Sequence, residues 1–134
     1  MHKLFVYGSL MFEPVWRQLL GRRHDSTAAT LEGYQRLCIR GQSYPGIKPS
    51  PKAQVEGVLV FALSADEIQR LDDFEGDEYR RDRVMVTTRD GSSHACDVYV
   101  VKPTRRHILL NQAWEPAQFE ANELKHFLHE YRHW

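Results

Sequence analysis

Val55-Glu56-Gly57-Val58-Leu59-Val60-Phe61-Ala62-Leu63-Ser64-Ala65-Asp66-Glu67 decides the fold class. Val55 to Leu63 is apolar on both alternations, so it reads as a strand covered on both faces. Ser64-Ala65-Asp66-Glu67 has capping-box spacing: the Ser hydroxyl accepts from the backbone N–H three residues on, and the Glu side chain reaches back. A helix should begin there and stop at Gly76, because a glycine just past the last turn closes helix C-termini. A doubly covered strand thus runs straight into an amphipathic helix.

Upstream, Leu4 to Tyr7 reads as a short buried strand ending at Gly8-Ser9. Pro14 suits the first turn of a helix through about Leu20, with Gly21 as its stop. Thr27 to Ile39 holds strand-like pieces around Gly33. Gly41 to Pro51 reads as loop, because three prolines and two glycines fall within it. Downstream, Tyr79 to Thr88 and His94 to Val101 read as two strands around an Asp90-Gly91 turn. Pro116 to about His133 reads as one C-terminal helix, with Phe119, Leu124, Phe127, Leu128 and Tyr131 on its apolar side. Strands outnumber helices without regular alternation. This predicts an α+β fold, a compact mixed β-barrel or sheet with flanking helices.

The 134 residues fit one domain spanning 1–134. Lys plus Arg and Asp plus Glu both number 18, so no net charge draws the chain to nucleic acid or an anionic membrane. The first seven residues are too short and polar-flanked for a signal peptide, and no apolar run approaches the roughly 20 residues that span a bilayer. The expected setting is cytoplasmic. Cys38 and Cys96 lie in separate apolar runs and read as buried reduced thiols.

One carboxylate is out of place. Ile68, Leu71 and Phe74 define the buried side of the capped helix. Glu75 falls only about 40° from the centre of that stripe, whereas Asp73 falls opposite and Asp72 near the edge. An inward Glu is costly while charged. Burial and the negative end of the helix dipole both raise its pKa, which suits a general acid/base. The competing reading pairs Glu75 with Arg80, Arg81 or Arg83, or turns it outward. The Tyr7-Gly8-Ser9-Leu10 turn lies between a strand and a helix. Its successive N–H groups suit an anion. It lacks the pattern of a phosphate loop.

Together these segments resemble the gamma-glutamylcyclotransferase-like family, in its AIG2-like branch. Phe5 to Leu10 resembles the family's opening strand and turn, and Tyr44-Pro45-Gly46-Ile47 its Tyr-Pro loop. Val55 to Val60 resembles its glycine-containing strand. Leu71 to Gly76, with Tyr79 and Arg81, resembles its acidic segment, and Trp114 with Phe119 its C-terminal helix entry. The resemblance implies a pocket between the first turn and the acidic segment. It implies Glu75 as acid/base, and Tyr7, Gly8, Ser9 and Leu10 as the substrate turn, with Tyr44 and Tyr79 lining the pocket. The implied reaction releases 5-oxoproline and a free amine from a small-molecule gamma-glutamyl substrate. No metal or organic cofactor is implied, and the acceptor amine and oligomeric state are left unspecified. Met11-Phe12-Glu13-Pro14 departs from the glycine that many relatives carry after the turn.

Two other functions compete. The same pocket can serve a non-catalytic module that holds an amino-acid-like ligand, with Glu75 an ionised carboxylate facing an ammonium group. His126, His129 and His133, at i, i+3 and i+7, suit zinc or nickel if they share a helix face. They also suit a solvated basic surface. Arg105-Arg106-His107 is too short for a nucleic-acid footprint, and no Gly-x-Ser-x-Gly elbow is present. Trp114 and Trp134 read as packing residues.

Overall fold

The computed structural model describes residues 1–130. The expectations placed on Tyr131, His133 and Trp134 lie outside the described residues. Six strands form one sheet: β1 (His2–Val6), β2 (Ser26–Ile39), β3 (Pro45–Leu63), β4 (Tyr79–Thr88), β5 (Ser93–Val101) and β6 (Leu109–Ala113). Their order is β3-β1-β5-β4-β2-β6, and a further β2–β3 pairing closes the first five into a barrel. Only β1–β5 is parallel, with Leu4 opposite Asp97; the other pairings are antiparallel. This is the expected mixed barrel with flanking helices, with β6 laid outside on the edge of β2.

The double covering of Val55 to Leu63 has a simple cause. Val55 and Leu59 point into the barrel with Phe5, Leu31, Ile47, Val86 and Val98. Val60 and Leu63 instead join Leu4, Val15, Ile68 and Leu71 beneath the helices. One strand therefore serves two cores: Leu59 and Val60 part by the ordinary alternation, and the irregularity between Val60 and Leu63, with Ala62 at φ 62°, turns Leu63 to the side of Val60.

Among the described residues four α-helices flank the barrel: α1 (Glu13–Leu20), α2 (Ala65–Glu75), α3 (Pro116–Asn122) and α4 (Leu124–Glu130). The capping box at α2 is complete: Glu67 N–H donates to Ser64 Oγ at 3.1 Å, and Ser64 N–H donates to Glu67 Oε1 at 3.0 Å. Gly76 ends the helix at φ 79°. Glu67 also ties α2 to the segment after α1. Arg22 donates to both its oxygens at 2.6 and 2.9 Å, and His24 Nε2 lies 3.0 Å from Oε2. The Trp16 indole N–H donates to His24 Nδ1 at 3.0 Å.

Three expectations need correction. The segment read as a loop from Gly41 to Pro51 is strand from Pro45 onward, pairing Cys38 with Pro45 and Tyr34 with Pro49. Pro45 opens the strand, where no ladder donor is required. Pro49 is the last paired residue before the register jumps, from Tyr34 opposite Pro49 to Glu32 opposite Gln54, and Pro51 lies in the unpaired interval, where no ladder donor is required. The facing bulge at Gly33, φ 84°, joins the two strand-like pieces into one strand. The single C-terminal helix is two, broken at Glu123, where φ is −121°. Strand β6 and the 3-10 turn over Pro103–Ile108 carried no expectation. Cys96 is buried and Cys38 partly buried; both are free thiols.

Candidate active site

The pocket forms where the end of β1, the starts of β3 and β4, the end of α2 and one face of α4 meet. Tyr7, Gly8, Ser9, Leu10, Tyr44, Glu75 and Tyr79 all border it. Tyr99, Phe74 and Phe127 complete much of the remaining wall.

Glu75 occupies the last turn of α2, on the side that Ile68 and Leu71 bury. As a residue it is partly covered, and its carboxyl group is enclosed. Enclosure and, second, the nearby Asp72 carboxylate push it from the usual 4.5 to about 8. The arginines that might have paired with it are committed elsewhere. Arg80 pairs with Asp82, Arg81 with Asp72 and Asp97, and Arg83 with Asp97.

Three tyrosine hydroxyls around the pocket are tied down. Tyr7 donates to the Tyr99 carbonyl at 2.6 Å, Tyr79 to the Pro45 carbonyl at 2.7 Å, and Tyr99 to Asp72 Oδ1 at 2.7 Å. Burial pushes all three up from the ordinary tyrosine value, helped by the charges of Glu75 or Asp72. They remain protonated near neutrality. Among the described residues, Glu75 is the only carboxyl or cationic side chain on the pocket wall.

Opposite the acidic segment, β1 gives way to a 3-10 turn over Ser9–Met11. The Met11 N–H bonds to the Gly8 carbonyl at 3.0 Å and the Phe12 N–H to the Ser9 carbonyl at 3.2 Å. The N–H groups of Gly8, Ser9 and Leu10 have no backbone partner among the described residues. Successive N–H groups without a backbone partner among the described residues, at the start of such a turn, suit an anion. Gly8 has φ −127°, so its role is space rather than a left-handed backbone. A Cβ there would sit 2.8 Å from Pro45 Cδ. Behind the turn, Arg36 Nη1 donates to the carbonyls of Tyr7 at 2.8 Å and Glu56 at 3.1 Å, and its guanidinium lies over Trp114 at 5.4 Å.

The profile of the family described as gamma-glutamyl cyclotransferase, AIG2-like, matches residues 4–116. The chain belongs to that family. AIG2-like protein D of Arabidopsis thaliana is 44% identical over 92 residues, covering 69% of this chain and 60% of that protein. AIG2-like protein A of the same plant is 39% identical over 92 residues, 69% of this chain and 56% of its own. The matched region thus spans little more than half the length of these curated relatives. An Arabidopsis thaliana protein solved in solution superposes with a TM-score of 0.75 at 31% identity, over 97% of this chain and 87% of its own. A solved gamma-glutamyl cyclotransferase gives 0.67 at 20% identity, over 75% of this chain and 66% of its own, a likeness of fold.

Asp72, Tyr99, Phe127 and Arg36 reach or support the pocket without having been singled out for it in the sequence. Phe127 read only as part of an apolar helix face, and Asp72 only as an edge residue. Tyr99 and Arg36 sat inside strands with no local signal of their direction. The competing reading of the C-terminal histidines falls partly outside the described residues, where His133 lies; His126 is 3.6 Å from Glu130, and no group of three ligating side chains forms among those described.

Proposed function

We propose that this protein is a gamma-glutamyl cyclotransferase that converts a gamma-glutamyl amide into 5-oxoproline and a free amine, with Glu75 as its acid/base. The observation that supports this best is a single carboxyl on the wall of one pocket that three N–H groups without a backbone partner among the described residues also border. Lactam formation needs a proton carrier and an anion site; it needs no protein nucleophile.

The substrate's α-carboxylate docks on the Tyr7–Leu10 turn, which also offers a donor to the oxyanion. Holding the glutamyl chain folded puts the α-amine against its own γ-carbonyl. Intramolecular attack of this kind is worth roughly 7–11 kcal/mol. The amine nitrogen bonds to the carbonyl carbon, and Glu75 accepts the proton the amine sheds. Glu75 returns that proton to the leaving nitrogen as the amide C–N bond breaks. One lactam and one amine result, and no water is consumed.

The proton inventory fits. A free α-amine titrates at about 8, close to the value of about 8 at Glu75. Transfer between matched groups is nearly isoenergetic, which is where general acid/base catalysis works best. The tied tyrosines hold the pocket's shape and do not compete for the proton.

The test is 5-oxoproline release from a panel of gamma-glutamyl amino acids, gamma-glutamyl-lysine and gamma-glutamyl alkylamides, with wild type beside Glu75→Gln. Release by wild type and loss of about 10²–10⁴-fold in the folded variant are expected. A fully active Glu75→Gln contradicts the role of Glu75. Binding of 5-oxoproline with no turnover across the panel contradicts catalysis and leaves a ligand-holding module.

A further inference from the structure

We propose that Arg36 is a positioning residue for the substrate turn, supplying through the Tyr7–Gly8 peptide the positive charge that the pocket wall lacks. This rests on the cyclotransferase reading, which places a carboxylate on that turn.

Arg36 lies on β2, facing Ile47 of β3. Its Nη1 donates to two backbone carbonyls, Tyr7 at 2.8 Å and Glu56 at 3.1 Å. Trp114 covers the guanidinium at 5.4 Å. Burial pulls its pKa down while the charges of Glu115, Tyr7 and Glu56 push it back, and a guanidinium stays charged at neutral pH regardless. A half-buried cation that bridges two backbone carbonyls carries a desolvation cost that its neighbouring charges offset only in part. Neutral side chains make such bridges without the desolvation.

The arrangement makes sense from the other side of the peptide. In a trans peptide the C=O of Tyr7 and the N–H of Gly8 point in opposite directions. Arg36 holds the carbonyl end, so the N–H end turns away from Arg36. That N–H has no backbone partner among the described residues, and Gly8 borders the pocket. A cation on the carbonyl polarises the peptide and makes its N–H a stronger donor, as in hydrogen-bond chains generally. Pinning the carbonyl also fixes the donor's direction before substrate arrives. Both effects favour an anionic ligand group, and neither favours a neutral one.

The contrast between two ligands separates this role from a merely structural one. 5-Oxoproline carries the carboxylate; pyrrolidin-2-one is the same lactam without it. Both are titrated into isotope-labelled full-length protein while the amide proton–nitrogen spectrum is followed, for wild type, Arg36→Gln and Arg36→Lys. Arg36→Gln should raise the Kd of 5-oxoproline about tenfold, the scale of one charge-assisted hydrogen bond, and leave pyrrolidin-2-one within about twofold. Arg36→Lys, which keeps the charge, should recover most of the loss. Equal losses for both ligands, or none for 5-oxoproline, overturn the proposal. Wild type that binds neither ligand overturns the cyclotransferase reading and this one with it. If Arg36→Gln does not fold, wild type decides: the Gly8 amide must shift strongly with 5-oxoproline and little with pyrrolidin-2-one, and an unmoved Gly8 overturns the proposal.

Discussion

Glu75 titrates at about 8, so at neutral pH most of it carries a proton. Its pKa lies above the unfolded value of 4.5. The stability it confers is therefore complete below that value and lost as pH rises through about 8, at about 1.4 kcal/mol per pH unit across the interval as an upper bound. Thermal melts of wild type and Glu75→Gln should separate progressively from pH 5 to 8, with the variant gaining; parallel curves contradict an enclosed carboxyl. Under the proposed reaction Glu75 must be ionised and the amine neutral when attack begins, so kcat/KM should rise with pH on a limb near 8. Asp72→Asn removes the like charge beside Glu75 and should move that limb down by up to about one unit. The same variant loses the ion pair with Arg81 and leaves Tyr99 a neutral acceptor, so its melting temperature should also fall. Glu75 was singled out from the sequence because helical periodicity is local. Tyr99 and Asp72 were not, because their contact joins residues 27 positions apart.

At the scale of elements, α2 presents opposite pH behaviour at its two ends. Burial pushes Glu67 up, but hydrogen bonds from Arg22, Ser64 N–H and His24 outweigh it and hold the carboxyl at about 2. Glu67 therefore stabilises the fold above 4.5, and that contribution fades as pH falls toward 2. Acid titration of Glu67→Gln should converge with wild type at the acid end, whereas Glu75→Gln departs from wild type at the alkaline end. Ser64→Ala breaks the capping box and should cost about 1 kcal/mol in denaturant melts. The bounds of α2 were legible because cap, stripe and terminal glycine all lie within one segment. The first half of β3 was not: proline penalises a strand only where a ladder donor is needed, and register is set by a partner strand. The break at Glu123 was equally illegible, since neither Asn122 nor Glu123 is a proline or glycine; α4 follows the pocket, where Phe127 packs near Phe119 and Phe74.

For the whole molecule, closure of the barrel turns scattered segments into one site. The β1 turn, the start of β3 and the end of α2 are separated by tens of residues and meet at one pocket. The α+β class and the β4–β5 hairpin followed from pattern alone, but closure depends on the β2–β3 pairing between segments far apart in sequence, and the prolines concealed its Pro45–Pro49 part. Gly8→Ala tests this convergence. Its Cβ would press Pro45 Cδ at 2.8 Å, so the turn must shift against β3. KM should rise by about tenfold or more while the turn end of the β4–β5 hairpin, from Thr87 to Ser93, keeps its amide spectrum. An unchanged KM would detach the turn from substrate binding. No helix among the described residues is long and apolar enough to cross a membrane.

Cyclisation is separated most directly from hydrolysis by the fate of solvent oxygen. A gamma-glutamyl amide is turned over by wild type in heavy-oxygen water, and the products are weighed by mass spectrometry. Attack by the α-amine predicts 5-oxoproline carrying no solvent oxygen, with one free amine per lactam. Glutamate carrying heavy oxygen would mean that water attacks the carbonyl, and would contradict the lactam-forming reaction assigned to Glu75 and the Tyr7–Leu10 turn.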